Sequence, residues 1–260
     1  MKHYILVSLT LILFTSCLNK KSKDSVDEKV EEKQVETPKL NTLFKQGDDG
    51  YACYRIPAVV TTNSGAVLAF SEARKSSCSD TGNIDLVMKK STDNGATWSA
   101  LKVIWDDKDN VCGNPAPVVD VETGSIHLLS TWNNGEDHES EIINGTSKEG
   151  REVYQLISND DGETWSTPKN ISATTKLPDW TWYATGPVHG IQLEKGAFKG
   201  RLVIPCDHIE KDSKKYYSHA IYSDDHGKNW KLGGTTPVDQ VNECTVAELT
   251  NGDLLLNMRN

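Results

Sequence analysis

At 260 residues, with 25% charged and 37% hydrophobic side chains, the chain has a globular composition at the polar end, long enough for one large domain or two small ones. Its 37 acidic against 28 basic residues leave a formal net charge of −9, which argues against nucleic acid as a partner, because that binding is driven by clustered Lys and Arg. Any anionic ligand must be drawn in by a local basic pocket against the overall field.

The front of the chain reads as a targeting segment. Lys2 supplies the positive start, and the apolar run from Tyr4 to Phe14 is too short to span a bilayer. Phe14-Thr15-Ser16-Cys17 resembles the lipobox of bacterial lipoproteins, which implies that Cys17 becomes the lipidated first residue after cleavage. An ordinary signal peptide with an incidental cysteine is the alternative. Leu18 to Leu40 is rich in Lys, Glu, Asp and Ser, the composition of a solvated tether. The expected organisation is therefore a signal peptide over residues 1–17, a tether over 18–41 and a folded domain from 42 to 260. Membrane contact is expected only through the anchor, and the location is the cell envelope.

The domain opens with Tyr54-Arg55-Ile56-Pro57, a lone arginine at the head of the apolar run Ala58-Val59-Val60. Such an arginine is either an anion anchor, its planar fork matching a carboxylate, or a surface charge on an edge strand. Beyond it come short apolar or alternating runs: Ala66 to Phe70, Asp85 to Lys89, Ser125 to Leu129, Glu152 to Ile157, Arg201 to Ile204, Tyr217 to Tyr222 and Asp253 to Asn257. Past residue 41 no stretch sustains helical periodicity, so the domain is expected to be all-β.

Between these runs an octet recurs: Ser91 to Trp98, Ser158 to Trp165 and Ser223 to Trp230, each of the form S-x-D-x-G-x-[TN]-W. The spacings of 158 − 91 = 67 and 223 − 158 = 65 residues indicate repeated supersecondary units. The Asp is suited to accept backbone N–H groups, the Gly to take positive φ, and the Trp to pack between neighbouring sheets. The octets look like calcium loops, but they lack the bidentate Glu and the flanking helices, so a structural turn is favoured. No cofactor or metal is called for. Besides Cys17 there are five cysteines, an odd number with no C-x-x-C pair; Cys53 and Cys78 lie near the motifs and could bridge, although free thiols are favoured.

Arg55-Ile56-Pro57 followed by the octets resembles the sialidase (neuraminidase) family, whose members carry an Arg-Ile-Pro run and several Asp boxes. The resemblance covers roughly Leu43 to Asn260. It implies a six-bladed β-propeller of the sialidase type, of which this chain would hold the N-terminal half to two-thirds. It further implies an exo-alpha-sialidase that removes terminal sialic acid from glycoconjugates with retention. By resemblance, Arg55 and Arg259 are two of three arginines that grip the sugar carboxylate. Arg74 of Ser71-Glu72-Ala73-Arg74 contacts substrate, Asp80 is the acid/base, and Glu243 is the base for a tyrosine nucleophile that would lie past residue 260. Asp85 rivals Asp80, but the alternation of Ile84, Leu86 and Met88 sets it in a strand; Glu248 rivals Glu243 and is expected to face solvent. The aromatic stretch Trp180-Thr181-Trp182-Tyr183 reads as a loop that is either inter-blade packing or a wall of the sugar site, with Tyr183 the expected substrate contact. Asn114-Pro115-Ala116-Pro117 is a second loop for which wall and turn both stand. The alternatives are a trans-sialidase, which uses the same residues, and a non-catalytic glycan-binding propeller.

Overall fold

The computed structural model of the protein describes residues 40–260, so Cys17 and the targeting segment lie outside the described residues. Within it, Thr42–Asn260 forms a compact unit.

The strands follow one another as antiparallel meanders. β1 (Cys53–Thr61), β2 (Val67–Arg74), β3 (Ile84–Ser91) and β4 (Lys102–Trp105) make the first. β5 (Val111–Val119), β6 (Ile126–Asn133), β7 (Glu152–Ser158) and β8 (Lys169–Asn170) make the second. In the third the inner strand is split: β9 (Trp180–Thr185) and β10 (Ile191–Gln192) both pair with β11 (Leu202–Glu210), which leads to β12 (Tyr216–Ser223) and β13 (Lys231–Thr235). β14 (Cys244–Glu248) and β15 (Leu254–Met258) form a two-stranded sheet. Every run expected to be extended is extended. Two short helices, α1 (Glu139–Asn144) and α2 (Ser172–Thr175), stand where no helix was expected. At six and four residues they are too short to display a helical period, and they take their stability from the sheets beneath them.

The sheets stack face to face, as strand alternation dictates. Leu68 and Phe70 of β2 meet Ile126 and Leu128 of β6 in one apolar layer. The opposite face of β6 carries Leu129 into a second layer with Tyr183, Leu202, Ile204 and Ile221. A third, smaller layer joins Leu193 and Val203 to Val246. The inner strands β1, β5, β9–β10 and β14 are neighbours in turn around a common axis. This is the propeller expected from the sequence: three four-stranded blades followed by a two-stranded sheet.

The octets form the same hydrogen-bonded turn three times. Asp93 accepts from Thr97 N–H at 2.8 Å and Thr97 Oγ1 at 2.5 Å, and Gly95 N–H donates to Ser91 Oγ at 2.8 Å. Asp160 and Asp225 repeat the pattern. Trp165 packs edge-on to Phe70 of the preceding blade, and Trp230 against His127. Trp98 does not share this role: it is half-exposed, and its indole N–H closes on Gly95 O of its own turn. The second and third octets lie against a preceding blade, whereas no described blade precedes the first.

Candidate active site

Each of the first three inner strands is interrupted by an X-Pro step: Ile56-Pro57, Asn114-Pro115 and Gly186-Pro187. Ile56 and Asn114 take left-handed φ of 54° and 52°, and the ladder slips between Arg55 and Ala58 and between Gly113 and Ala116. Such bulges re-aim side chains, and a β-branched residue at positive φ is strain held by its surroundings. Asn114-Pro115-Ala116-Pro117 is therefore strand with a bulge rather than a loop. Arg55 and Asn114 are turned into a single pocket where the blades meet.

Arg55, Arg74, Asp80, Glu243 and Arg259 all line this pocket. Asp80 Oδ1 bridges Arg55 Nη1 at 3.0 Å and Arg74 Nη1 at 2.7 Å. Arg74 is only 3% exposed and is clamped: Nε and Nη2 donate to Glu72 Oε2, and Nη1 to the carbonyls of Cys78 and Ser79. Glu72 in turn accepts the Asn114 N–H at 2.9 Å, tying the first blade to the second. Glu243 and Arg259 pair at 2.8 Å because β14 and β15 place Cys244 opposite Met258, so the next residues outward face each other. The rival carboxylates lie elsewhere. Asp85 is buried on the strand β3 and accepts the Tyr51 hydroxyl at 2.6 Å, while burial raises its pKa. Glu248 accepts the N–H groups of Glu194 and Lys195.

Two expectations are corrected here. Cys53 and Cys78 form a disulfide, because β1 and the Asp80 loop bring their Cα atoms to 5.2 Å. Tyr183 does not reach the pocket: it is 0% exposed, in the core beside Trp180, with its hydroxyl 3.1 Å from His219 Nε2. The stretch is strand, not loop, and a bulge at Thr181 sets the alternation so that Trp182 and Ala184 line the pocket while Tyr183 faces inward.

Three groups that sequence reasoning missed, Arg151, Glu139 and Asp207, complete the pocket together with Trp182 of the expected aromatic wall. Arg151 is 4% exposed and donates to Tyr183 O at 2.6 Å, to Thr131 Oγ1 at 2.9 Å, and to Asn133 and Asn114; its guanidinium lies 4.2 Å over the Trp182 ring. Burial draws its pKa down to about 10, so it stays cationic at neutral pH. Glu139 reaches in from α1, Trp182 from β9, and Asp207 from β11. Of the three missed groups only Asp207 left a sequence signal, a carboxylate directly after the apolar run Leu202 to Cys206. Arginines and carboxylates thus face one another across a concave site, a combination able to hold an anion and move a proton.

A profile described as the BNR repeat-like domain matches residues 65–260. The chain is 33% identical to a sialidase of Bacteroides fragilis over 82% of its own length and 40% of that protein's. It is 37% identical to an exo-alpha-sialidase of Aspergillus fumigatus over 60% of its length and 42% of that protein's. The solved structure of a Hadza microbial sialidase superposes with a TM-score of 0.74 at 33% identity, over 82% of this chain and 43% of that one. The chain thus spans about two-fifths of the length of the curated relatives named here. With the octets, the bulged Arg-Ile-Pro strand and the blade order all in place, the chain belongs to the sialidase family of BNR, or Asp-box, β-propeller proteins.

Proposed function

We propose that the protein is an exo-alpha-sialidase that removes terminal sialic acid from glycoproteins, glycolipids and oligosaccharides with retention of configuration. The observation that carries this reading is the convergence of Arg55, Arg74, Asp80, Glu243 and Arg259 on one pocket. Sialic acid bears a carboxylate on its anomeric carbon, and Arg55 and Arg259, 45% and 64% exposed at their side chains, are the arginines accessible enough to grip it. The incoming carboxylate competes with Asp80 for Arg55, so binding leaves Asp80 held by Arg74 alone. A carboxylate nucleophile would approach that carbon against like charge, whereas a neutral phenol suffers less. The phenol, with a pKa of about 10, then needs a base, and Glu243 is assigned that task. Among the described residues no tyrosine lines the pocket, and the proposal assigns the nucleophile to a tyrosine following residue 260.

Asp80→Ala in the full-length protein tests the assignment. Turnover of a sialoside with a poor leaving group should fall by about 10²- to 10⁴-fold, and that of an activated aryl sialoside far less, because only the former needs its oxygen protonated. Equal losses on both would remove Asp80 from the role of acid. Product analysis in the same assay separates hydrolysis from transfer to an acceptor sugar. The proposal extends to location: a lipid on Cys17 would hold the propeller at the cell envelope, and fatty-acid labelling that survives Cys17→Ser would refute it.

A further inference from the structure

Strand β11 alternates between two apolar layers. Leu202, Ile204 and Cys206 enter the layer shared with the second blade, while Val203 packs toward Val246 of β14. Asp207 belongs to the Val203 face and lines the pocket, 1% exposed, with its Oδ2 buried and without a hydrogen-bond partner. A buried carboxyl in that condition is unfavourable unless a proton or a ligand compensates.

The charged groups around it do not pair with it. Arg151, from the segment before β7, has its donors taken by Tyr183, Asn133, Asn114 and Thr131. Arg259, after β15, is held by Glu243 and Asn242. Glu243, ahead of β14, and Glu139, from α1, add like charge, and the groups behind it are the Tyr183 phenol and the Cys206 and Cys244 thiols, all pushed up by burial. Burial first, then the charge of Glu243, raise the Asp207 carboxyl to about 8, against the pull of Arg151 and Arg259. With Asp207 neutral, the described pocket residues set four carboxylates (Glu72, Asp80, Glu139, Glu243) against four arginines (Arg55, Arg74, Arg151, Arg259).

We propose that Asp207 is a further substrate-binding residue, whose carboxyl O–H donates a hydrogen bond to a hydroxyl of the acidic sugar held by the pocket arginines. This assignment rests on the sialic-acid reading above. Ionisation of Asp207 removes the donor and adds a negative charge to the pocket, so it disfavours the anion twice over.

The test is calorimetric binding of an unsaturated sialic acid analogue to the full chain, from about pH 6.5 to about pH 9.5, with melting curves to confirm folding of each variant. Wild-type affinity should fall about tenfold per pH unit above about pH 8. Asp207→Asn keeps a neutral donor and should bind within about threefold of wild type at neutral pH, with no alkaline fall. Asp207→Ala should bind about tenfold more weakly at neutral pH. An alkaline fall that persists in Asp207→Asn, or full affinity in Asp207→Ala, overturns the proposal. Infrared difference spectra between wild type and Asp207→Asn give a readout free of ligand: the C=O stretch of a protonated carboxyl should be present at neutral pH and lost in alkali. Its absence overturns this proposal alone, whereas failure of the wild type to bind the analogue overturns the sialic-acid reading and the donor role with it.

Discussion

Arg74 shows how one side chain organises its neighbours. Buried and forked onto Glu72, it donates to two carbonyls of the loop that carries Asp80, so the loop is hung on a guanidinium that cannot itself swing into solvent. The Cys53–Cys78 bridge fixes the same loop from its other side. Cys53 lies two residues before Arg55 and Cys78 two before Asp80, and the bridge spans 25 residues. Closing a loop of that length restricts the unfolded chain by about 3 kcal/mol. Replacing both cysteines by serine should therefore lower the unfolding free energy by about 3 kcal/mol in denaturant titrations. It should also reduce turnover, because Asp80 loses its fixed distance to Arg55. Unchanged kinetics in the serine pair would mean that the Arg74 contacts suffice to place the loop.

At the scale of the element, the three octets share one turn but meet different surroundings. A Cβ on Gly227 would fall 2.3 Å from the His127 ring, and Gly162 would meet Leu68 at 3.0 Å, whereas Gly95 meets only its own Trp98 at 3.6 Å. All three glycines have φ between 72° and 86°, so a side chain costs about 1 kcal/mol of backbone strain in each. Gly227→Ala adds overpacking of a core layer, typically another 1–3 kcal/mol, and should lower the melting temperature clearly more than Gly162→Ala, whose neighbour is the flexible end of Leu68. The octet aspartates make a second prediction. Hydrogen bonds from Thr97 to Asp93 and from Thr164 to Asp160, hydroxyl first and backbone N–H next, lower both carboxyls from 3.8 to about 2. A depressed carboxyl contributes stability that is present above its unfolded value and lost as pH falls through the folded one. The melting temperature should thus drop between about pH 4 and about pH 2, and Asp93→Asn combined with Asp160→Asn should flatten that drop.

Over the whole molecule, stability is distributed in layers between blades rather than in one central core. The second blade is covered on both faces, by the first blade and by the third. The β14–β15 sheet has only two strands, touches the rest through the smallest of these inter-blade layers, and exposes Leu254 and Leu255. Two strands with one thin apolar contact open more readily than a sandwiched sheet. In a protein made of residues 40–260 alone, native-state hydrogen exchange should find β14 and β15 exchanging well ahead of β5, β6, β11 and β12. Because Glu243 and Arg259 flank that hairpin, a ligand that engages Arg259 should slow exchange there; equal protection throughout the chain would contradict the layered account.

What the sequence determined by itself is local. The octets set their own turns, because donor and acceptor lie within five residues of each other. Alternation set the strands, since a period of two needs no partner to be seen, and it set Asp85 apart from Asp80. Among the motif residues Arg55 carried a local mark, the Ile56-Pro57 step and the apolar run after it, whereas Arg74, Asp80, Glu243 and Arg259 were legible through the resemblance to the sialidase family. What only the tertiary structure decided depends on which faces meet. The bulge at Thr181 exchanged Tyr183 for Trp182 at the pocket, and a one-residue slip of that kind leaves no trace in composition. Arg151 and Asp207 became pocket residues only when the second and third blades and the β14–β15 sheet closed around them. The disulfide likewise required β1 and the Asp80 loop to be brought side by side. Their burial, and hence the perturbed acidity of Arg151 and Asp207, follows from stacking between blades that are distant in sequence.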